Sequence, residues 1–336
     1  MALPYGKVPS EILESIVFPN LGFKNKDVIL GPSRGEDAAI IKVKEGVIVA
    51  SCDPISGAVE SAGWLAINVS ANDVATRGVR PRWCLICILL PKDFSRESMT
   101  KICGQMNRAA KKLKIAIAGG HSETSPGLNH PIIISFCIGS AKRGRYLKTA
   151  DARPGSRLVL TKGVGIEGTG ILATDKRGAV EKAFGAGFAD RSARYLDEIS
   201  VIPEAMIAAR MKGVYALHDP TEGGVLGGLW EMADASRCGF KVYERNLIIR
   251  PETEAICRLF SIDPLRLISS GSLLISVDRR VSASLVSALR RIRIPASIIG
   301  EMTDDVDQRA LVTKEGCEKG LQMPETDELW KVLDRL

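Results

Sequence analysis

Apolar positions along the chain follow two rhythms: short alternating or continuous runs, and longer stretches with a period near 3.6 residues. The runs AAIIKV and GVIVASCD, separated by KEG, predict a β-hairpin. Residues 60 to 77 are apolar with helical spacing and stop at Gly78 and Pro81, which predicts a buried helix. WCLICILLP reads as a strand, SRESMTKICGQMNRAAKKLK as an amphipathic helix, and IAIAGG and PIIISFCIGSA as two further strands. Upstream, Ser10 precedes apolar residues at 12, 13, 16 and 17, the pattern of a short capped helix. The order to this point is ββαβαββ.

TADARPGS, with Pro154 and Gly155, is the expected linker. Beyond it strand RLVLTK opens a second series. It has helices near 168–175 and 190–210, strand VYALHD, a helix at 223–237, strand GFKVYE and a helix at 251–259. Strand GSLLISVD, a helix at 281–291 and strand ASIIGEM complete it. The expectation is an α+β protein of two domains, residues 1–150 and 151–336.

Length and composition agree with that picture. A chain of 336 residues exceeds one ordinary core, and 45% hydrophobic with 25% charged residues is a globular balance. No stretch reaches the ~20 apolar residues of a membrane span. The segment MALPYGKVPSEILESIVFPNLG lacks a basic region followed by an apolar core, so no signal peptide is expected. Eight cysteines, mostly within apolar runs, suit reduced thiols in a cytoplasm. The net charge of +7 is dispersed and aromatics make up only 5%, so neither nucleic acid nor membrane is an expected partner.

Cys84 and Cys87 form C-x-x-C inside a strand, where residues three apart face opposite ways, and core packing is the expectation. Cys52, next to Asp53, is also assigned to packing. The segment GVGIEG (Gly163, Gly165, Gly168) matches G-x-G-x-x-G after a strand, but no second apolar strand ending in an acid follows ~20 residues on. A strand-to-helix turn and a phosphate-facing loop remain the alternatives.

AINVSANDVATRG poses a sharper question, because a buried carboxylate such as Asp73 is costly unless paired or on a metal. Other carboxylates also sit where strands meet loops. Glu36 and Asp37 precede a strand, Asp53 ends one, and Gly119-Gly120-His121-Ser122-Glu123 is expected to end another. His218-Asp219 ends VYALHD before Glu222, Gly223 and Gly224 open a helix. Three to five oxygen ligands at strand ends suit Mg²⁺ bridging a polyphosphate.

In this order the motifs GEDAA, strand-Asp, ND, GGHSE and HDPTEGG resemble the superfamily of aminoimidazole ribonucleotide synthetase (PurM), thiamine-monophosphate kinase, selenophosphate synthetase and HypE. The resemblance covers almost the whole chain, and GKVPSEILESIVFPNLG and HDPTEGGVLGGLWEMADAS look closest to HypE and its uncharacterised archaeal relatives. It implies a PurM-like fold, a homodimer with a barrel built from the N-terminal sheets, and ATP near that interface. It implies that Asp37, Asp53 and Asp73 hold Mg²⁺. Glu36, Asn72, Gly119, Gly120, His121, Ser122, Glu123, Gly223 and Gly224 would surround ATP, and His218, Asp219 and Glu222 would act catalytically. His121 stands where kinase-like relatives place an aspartate, which leaves the number of metals open. HypE resembles a chain ending Pro-Arg-Ile-Cys, whereas this one ends LWKVLDRL with Cys317 lying 19 residues earlier, so chemistry on its own tail is not expected.

The implied activity is ATP-dependent phosphorylation of a carbonyl- or amide-type oxygen, in hydrogenase or other metalloenzyme maturation. The alternatives are a small-molecule kinase of the thiamine-monophosphate type, or a nucleotide-binding maturation partner with little turnover. The acceptor and any maturation partner are left open.

Overall fold

The computed structural model describes residues 26–58 and 60–333, together with Glu11 and Glu14. The helix expected after Ser10 lies outside the described residues. The first half contains β1 (Val28–Leu30), β2 (Ala39–Val43), β3 (Gly46–Ile55), α1 (Ala62–Thr76), β4 (Pro81–Leu90), α2 (Arg96–Leu113), β5 (Ala116–Thr124) and β6 (Ile132–Ala141). Its strands form one sheet in the order β1-β2-β3-β6-β4-β5, antiparallel except for the β4–β5 pair.

The second half contains β7 (Arg157–Thr161), α3 (Ile166–Asp175), α4 (Arg177–Phe184), α5 (Ala186–Ala193), α6 (Ile202–Ala208), β8 (Val214–His218), α7 (Gly224–Ser236) and β9 (Gly239–Tyr243). It continues with α8 (Pro251–Phe260), β10 (Leu274–Val277), α9 (Arg279–Arg291), β11 (Ala296–Thr303), β12 (Arg309–Val312), β13 (Glu318–Gly320) and α10 (Glu328–Leu333). The second sheet runs β13-β12-β9-β11-β7-β10-β8. Its core strands are antiparallel, which excludes the dinucleotide-binding reading of GVGIEG.

The alternation along β7 shows how this sheet is covered. Val159 joins the large core shared with the first half, while Leu158 and Leu160 join a smaller core beneath α7. Helix α1 is buried on nearly every side, with only Trp64 of its 15 residues outside the interior. It packs on the first sheet, on α2, and on α6 and β8 of the second half. Each apolar side chain fully buried this way contributes roughly 1.5–3 kcal/mol.

Two expectations about element boundaries are corrected. The helix expected at 190–210 is broken: α5 gives way to a tight turn at Arg194–Glu198, and α6 restarts with Pro203 in its first turn. The strand IAIAGG does not end at its glycines. β5 continues through His121, Ser122 and Glu123 as an exposed edge strand. WCLICILLP and PIIISFCIG are apolar enough to be covered on both faces by a homodimer, and within one protomer β4 and β6 leave one face open. Trp83, Leu85, Ile117 and Phe136 lie 40–47% exposed on the face away from α1.

Candidate functional site

Four carboxylates from both halves converge. Asp37 lies between β1 and β2, Asp53 on β3, Asp73 on α1, and Asp219 just after β8. Asp37 is held by cations. Its Oδ2 accepts from Arg77 Nη2 (2.7 Å) and Thr76 Oγ1 (3.1 Å), and its Oδ1 lies 2.7 Å from His218 Nδ1. That last contact is an ion pair with a poorly directed N–H rather than a regular hydrogen bond. On the far side of the ring, His218 Nε2 is 2.9 Å from Glu231 Oε2.

Burial works against the imidazolium of His218, but Asp37 and then Glu231 outweigh it and hold the ring up at about 10. Burial likewise opposes ionisation of Asp37, and His218 and Arg77 more than offset this, lowering its carboxyl below the usual range. Arg77 is fully buried. It bonds Glu36, donates to Thr149 Oγ1 (2.8 Å), and reaches the Leu217 carbonyl of the second half at 3.3 Å. Glu36 also accepts from the backbone amides of Thr149 (3.2 Å) and Ala150 (3.1 Å).

Glu36, Asp37 and Asn72, expected around Mg²⁺ and ATP, each already have protein partners. Both Asp37 oxygens are engaged by protein groups, and Glu36 closes the turn at Thr149. Asn72 Nδ2 donates to Ile199 O (2.8 Å) and its Oδ1 accepts from Val201 N (2.9 Å), so its amide ties the halves together and offers no oxygen to a metal. His218 positions Asp37 through one nitrogen and Glu231 through the other.

Asp53, Asp73 and Asp219 form the acidic side of the group. Ser51 lies two residues from Asp53 on the same face of β3, and its single hydroxyl contacts both Asp53 Oδ2 (3.0 Å) and Asp73 Oδ2. One hydroxyl proton cannot serve two carboxylates. Asp73 is raised well above the usual carboxylate range by burial, then by the charges of Asp53, Asp219 and Asp37. Asp219 is also raised, by burial and then by Asp37. It is 2% exposed, and neither of its oxygens has a hydrogen-bond partner. Orphaned buried acceptors are destabilising unless something occupies them.

A divalent cation fits this set: it would satisfy Asp219 and remove the repulsion among the three carboxylates. Among the described residues no three His, Cys, Asp or Glu side chains are arranged to ligate an ion by themselves. Mg²⁺ usually takes one or two carboxylates and completes its shell with phosphate and water. Asp219, expected as a catalytic residue, has no hydrogen-bond partner on either oxygen, whereas both oxygens of Asp37 contact protein groups.

The HDPTEGG turn resolves locally. Gly223 (φ 79°) and Gly224 (φ 65°) adopt left-handed backbone, and a Cβ on Gly224 would lie 2.5 Å from the Leu265 carbonyl. The Gly223 amide donates to Asp327 Oδ2 at 2.7 Å, so a residue from the C-terminal segment caps α7. In GVGIEG the Gly165 amide goes to Ser269 Oγ (2.7 Å) and that of Val164 to Ile248 O (3.0 Å), which favours a structural turn over a phosphate loop.

The GGHSE segment stands apart on β5. His121 Nε2 pairs with Glu123 Oε2 (3.1 Å), and Glu123 Oε1 accepts from Ser125 (2.7 Å). A Cβ on Gly120 would meet the Ile86 carbonyl at 1.9 Å, so close strand packing explains that glycine. Cys84 is buried opposite Cys137 on β6 and Cys87 faces the other way, in keeping with core packing. Sequence reasoning missed Arg77, Thr149, Glu231 and Asp327. A buried arginine following ND was visible only as one more surface charge.

Residues 35–141 match the N-terminal domain, and residues 153–313 the C-terminal domain, of AIR synthase related protein. A putative hydrogenase expression/formation protein of Methanocaldococcus jannaschii is 26% identical over 309 residues, 89% of each chain. Carbamoyl dehydratase HypE of Bradyrhizobium diazoefficiens is 27% identical over 282 residues, 81% of this chain and 79% of that one. Among solved structures, a HypE–HypF complex superposes with a TM-score of 0.74 at 21% identity, over 93% of this chain and 99% of that chain. Hydrogenase maturation protein HypE in complex with ATP gives 0.72 at 19%, over 97% and 98%. These likenesses establish the PurM-like two-domain fold. Since the family match covers both halves, the chain belongs to the AIR synthase related protein family.

Proposed function

We propose that this protein is an ATP- and Mg²⁺-dependent enzyme that phosphorylates a carbonyl- or amide-type oxygen, in hydrogenase or other metalloenzyme maturation. The observation that carries the reading is the pair of buried carboxylates Asp73 and Asp219 beside the partly buried Asp53, with their mutual repulsion and the unpartnered oxygens of Asp219. Relatives described as carbamoyl dehydratase, and a neighbour solved with ATP, support the same chemistry.

In this reading Asp219, Asp73 and Asp53 hold the cation, which neutralises charge on the transferred phosphoryl group. His218 and Arg77 fix Asp37, and Asp37 in turn sets the electrostatics around Asp219. Glu222 lies three residues beyond Asp219 and is the candidate proton carrier on the acceptor side.

The exposed apolar row of Cys52, Phe136 and Leu85, flanked by Trp83 and Ile117, is the surface for a second copy of this chain. That copy would cover the β5 edge and bring His121, Ser122 and Glu123 to a shared nucleotide site. A domain division near residue 150 and a partner of the HypF kind complete the proposal. No helix among the described residues is long and apolar enough to cross a membrane. Calorimetry with ATP in Mg²⁺ and in EDTA tests the reading: tight binding only with Mg²⁺ is expected, and equal affinity in EDTA would overturn it.

A further inference from the structure

Helix α9 carries a charge pattern that its own fold does not use. From Arg279 to Arg293 the sequence RRVSASLVSALRRIR holds five arginines and no acidic residue. Leu285 and Leu289 are fully buried, and the helix packs on β7, β11 and α6. Arg280 is accounted for, because it pairs at 2.7 Å with Asp278, the residue that caps the helix. Arg290 Nη2 donates to the Ala296 carbonyl at 2.9 Å. Among the described residues, no carboxylate pairs with Arg279, Arg290, Arg291 or Arg293. Cations in the last turn suit the helix dipole. Arg279 opposes it, in a first turn that holds no acid.

These cations flank a groove of about 620 Å³ between α9 and β11. Val286, 8% exposed, and the half-buried Ile298 give it an apolar floor. The exposed small side chains of Ala283 and Ser287 form its wall on α9, and Arg290 and Arg291 close one end. Arg279, Ala283, Ser287 and Arg290 recur every three or four residues, so they share one face of the helix. Along that face Arg279 and Arg290 stand ~17 Å apart.

The chemistry points to one kind of occupant. An apolar floor takes apolar side chains, and each guanidinium takes a carboxylate in a two-point contact. The small residues on the wall let a second helix approach closely. β11 is paired on both sides, by β7 and β9, so it offers no edge to an added strand.

We propose that the groove between α9 and β11 docks an acidic amphipathic helix of a partner protein. Its apolar stripe lies on Val286 and Ile298, with a carboxylate near one end on Arg279 and another near the other end on Arg291. The groove shares no residue with the carboxylate cluster, so this inference does not rest on the phosphorylation reading.

The test uses the full chain and a fluorescein-labelled synthetic helix of ~18 residues, long enough to span both arginines. The peptide is alanine-based, with one leucine stripe and a glutamate pair at each end, and binding is read by fluorescence anisotropy. The acidic helix is expected to bind, more weakly as salt rises. A copy with lysine in place of every glutamate should bind at least tenfold more weakly. Arg279→Ser and Arg291→Ser together should cost at least tenfold in affinity for the acidic helix. Ser287→Trp fills the groove while keeping every charge and should cost as much, and Ala283→Trp provides a second filling variant. All variants should retain the wild-type melting temperature within a few degrees, and wild-type Mg·ATP affinity. Equal binding of the lysine copy, or undiminished binding by both filling variants, would overturn the proposal. So would a wild type that does not bind the acidic helix, or one that binds a single-stranded oligonucleotide more tightly through the same arginines. Protein that binds the helix but not Mg·ATP would refute the phosphorylation reading and leave the groove standing.

Discussion

His218 and Asp37 are 181 positions apart in the chain and 2.7 Å apart in space, one ending a strand of the second half and the other opening a strand of the first. The pair joins the halves through a charged contact in the protein interior, and its ionisation is tied to folding. His218 is raised in the folded state, so its stabilising contribution is fully present below the unfolded value near 6.5 and is lost as pH rises through about 10. Urea unfolding should show wild-type stability declining between those limits. His218→Gln should flatten that part of the profile and lower stability by roughly 3–5 kcal/mol at pH 6, the cost of stripping one partner from a buried pair.

Arg77 offers a second test of the same region. Its guanidinium serves Glu36, Asp37, Thr149 and Leu217 together, a geometry that a lysine ammonium cannot reproduce. Arg77→Lys should destabilise the protein by several kcal/mol, on the order of a broken buried ion pair. Thermal unfolding that left Arg77→Lys within about 0.5 kcal/mol of wild type would show that the network is dispensable.

The carboxylates of the proposed metal site should behave oppositely. Asp73 and Asp219 are raised by burial and by other carboxylates, so ionising them destabilises the fold and they favour it as pH falls through their raised values. Asp219→Asn and Asp73→Asn should therefore leave the melting temperature at pH 8 unchanged or higher. Mg·ATP affinity should drop at least tenfold in each, and in the wild type it should strengthen with rising pH as the carboxylates lose protons. Calorimetry across pH 6–9 decides this, and undiminished Mg·ATP binding by Asp219→Asn would remove that residue from the site.

Glu222 and Asp327 separate along similar lines. Asp327 caps α7, so Asp327→Ala should cost about 1 kcal/mol of stability. Glu222→Gln leaves the cap in place, and its melting temperature should stay within a degree or two of wild type. If Glu222 carries a proton, ATP turnover with an acceptor should fall ~10²-fold. Unaltered turnover would restrict Glu222 to an electrostatic role.

Assembly is checked at Phe136, which is 47% exposed in the protomer. Light scattering should give a dimer for the wild type and a monomer for Phe136→Asp at micromolar concentration. A wild-type monomer would undo the shared site.

The sequence showed the fold well where one physical rule dominated. The strands AAIIKV and GVIVASCD and the helix at 60–77 were legible because burial imposes a clear period. β5 was misjudged because GGHSET reads as a turn by composition, yet pairing with β4 carries it on to Thr124. Asp53, Asp73 and Asp219 were visible as carboxylates at element ends. Their partition of labour was not, because which of four acids is neutralised depends on Arg77 and His218 arriving from distant positions. Asp327 carried no local sign at all, since it caps a helix that begins more than a hundred residues earlier.

The buried Arg77 has a consequence for folding. Its side chain takes up donors' partners from both sheets and from the linker between them, so neither half can unfold alone without exposing or stranding a charged group in the interior of the other. Asn72, which ties α1 to residues 199–201, adds to the same coupling. The two domains should therefore unfold in one cooperative transition, although chains of two domains usually unfold in steps.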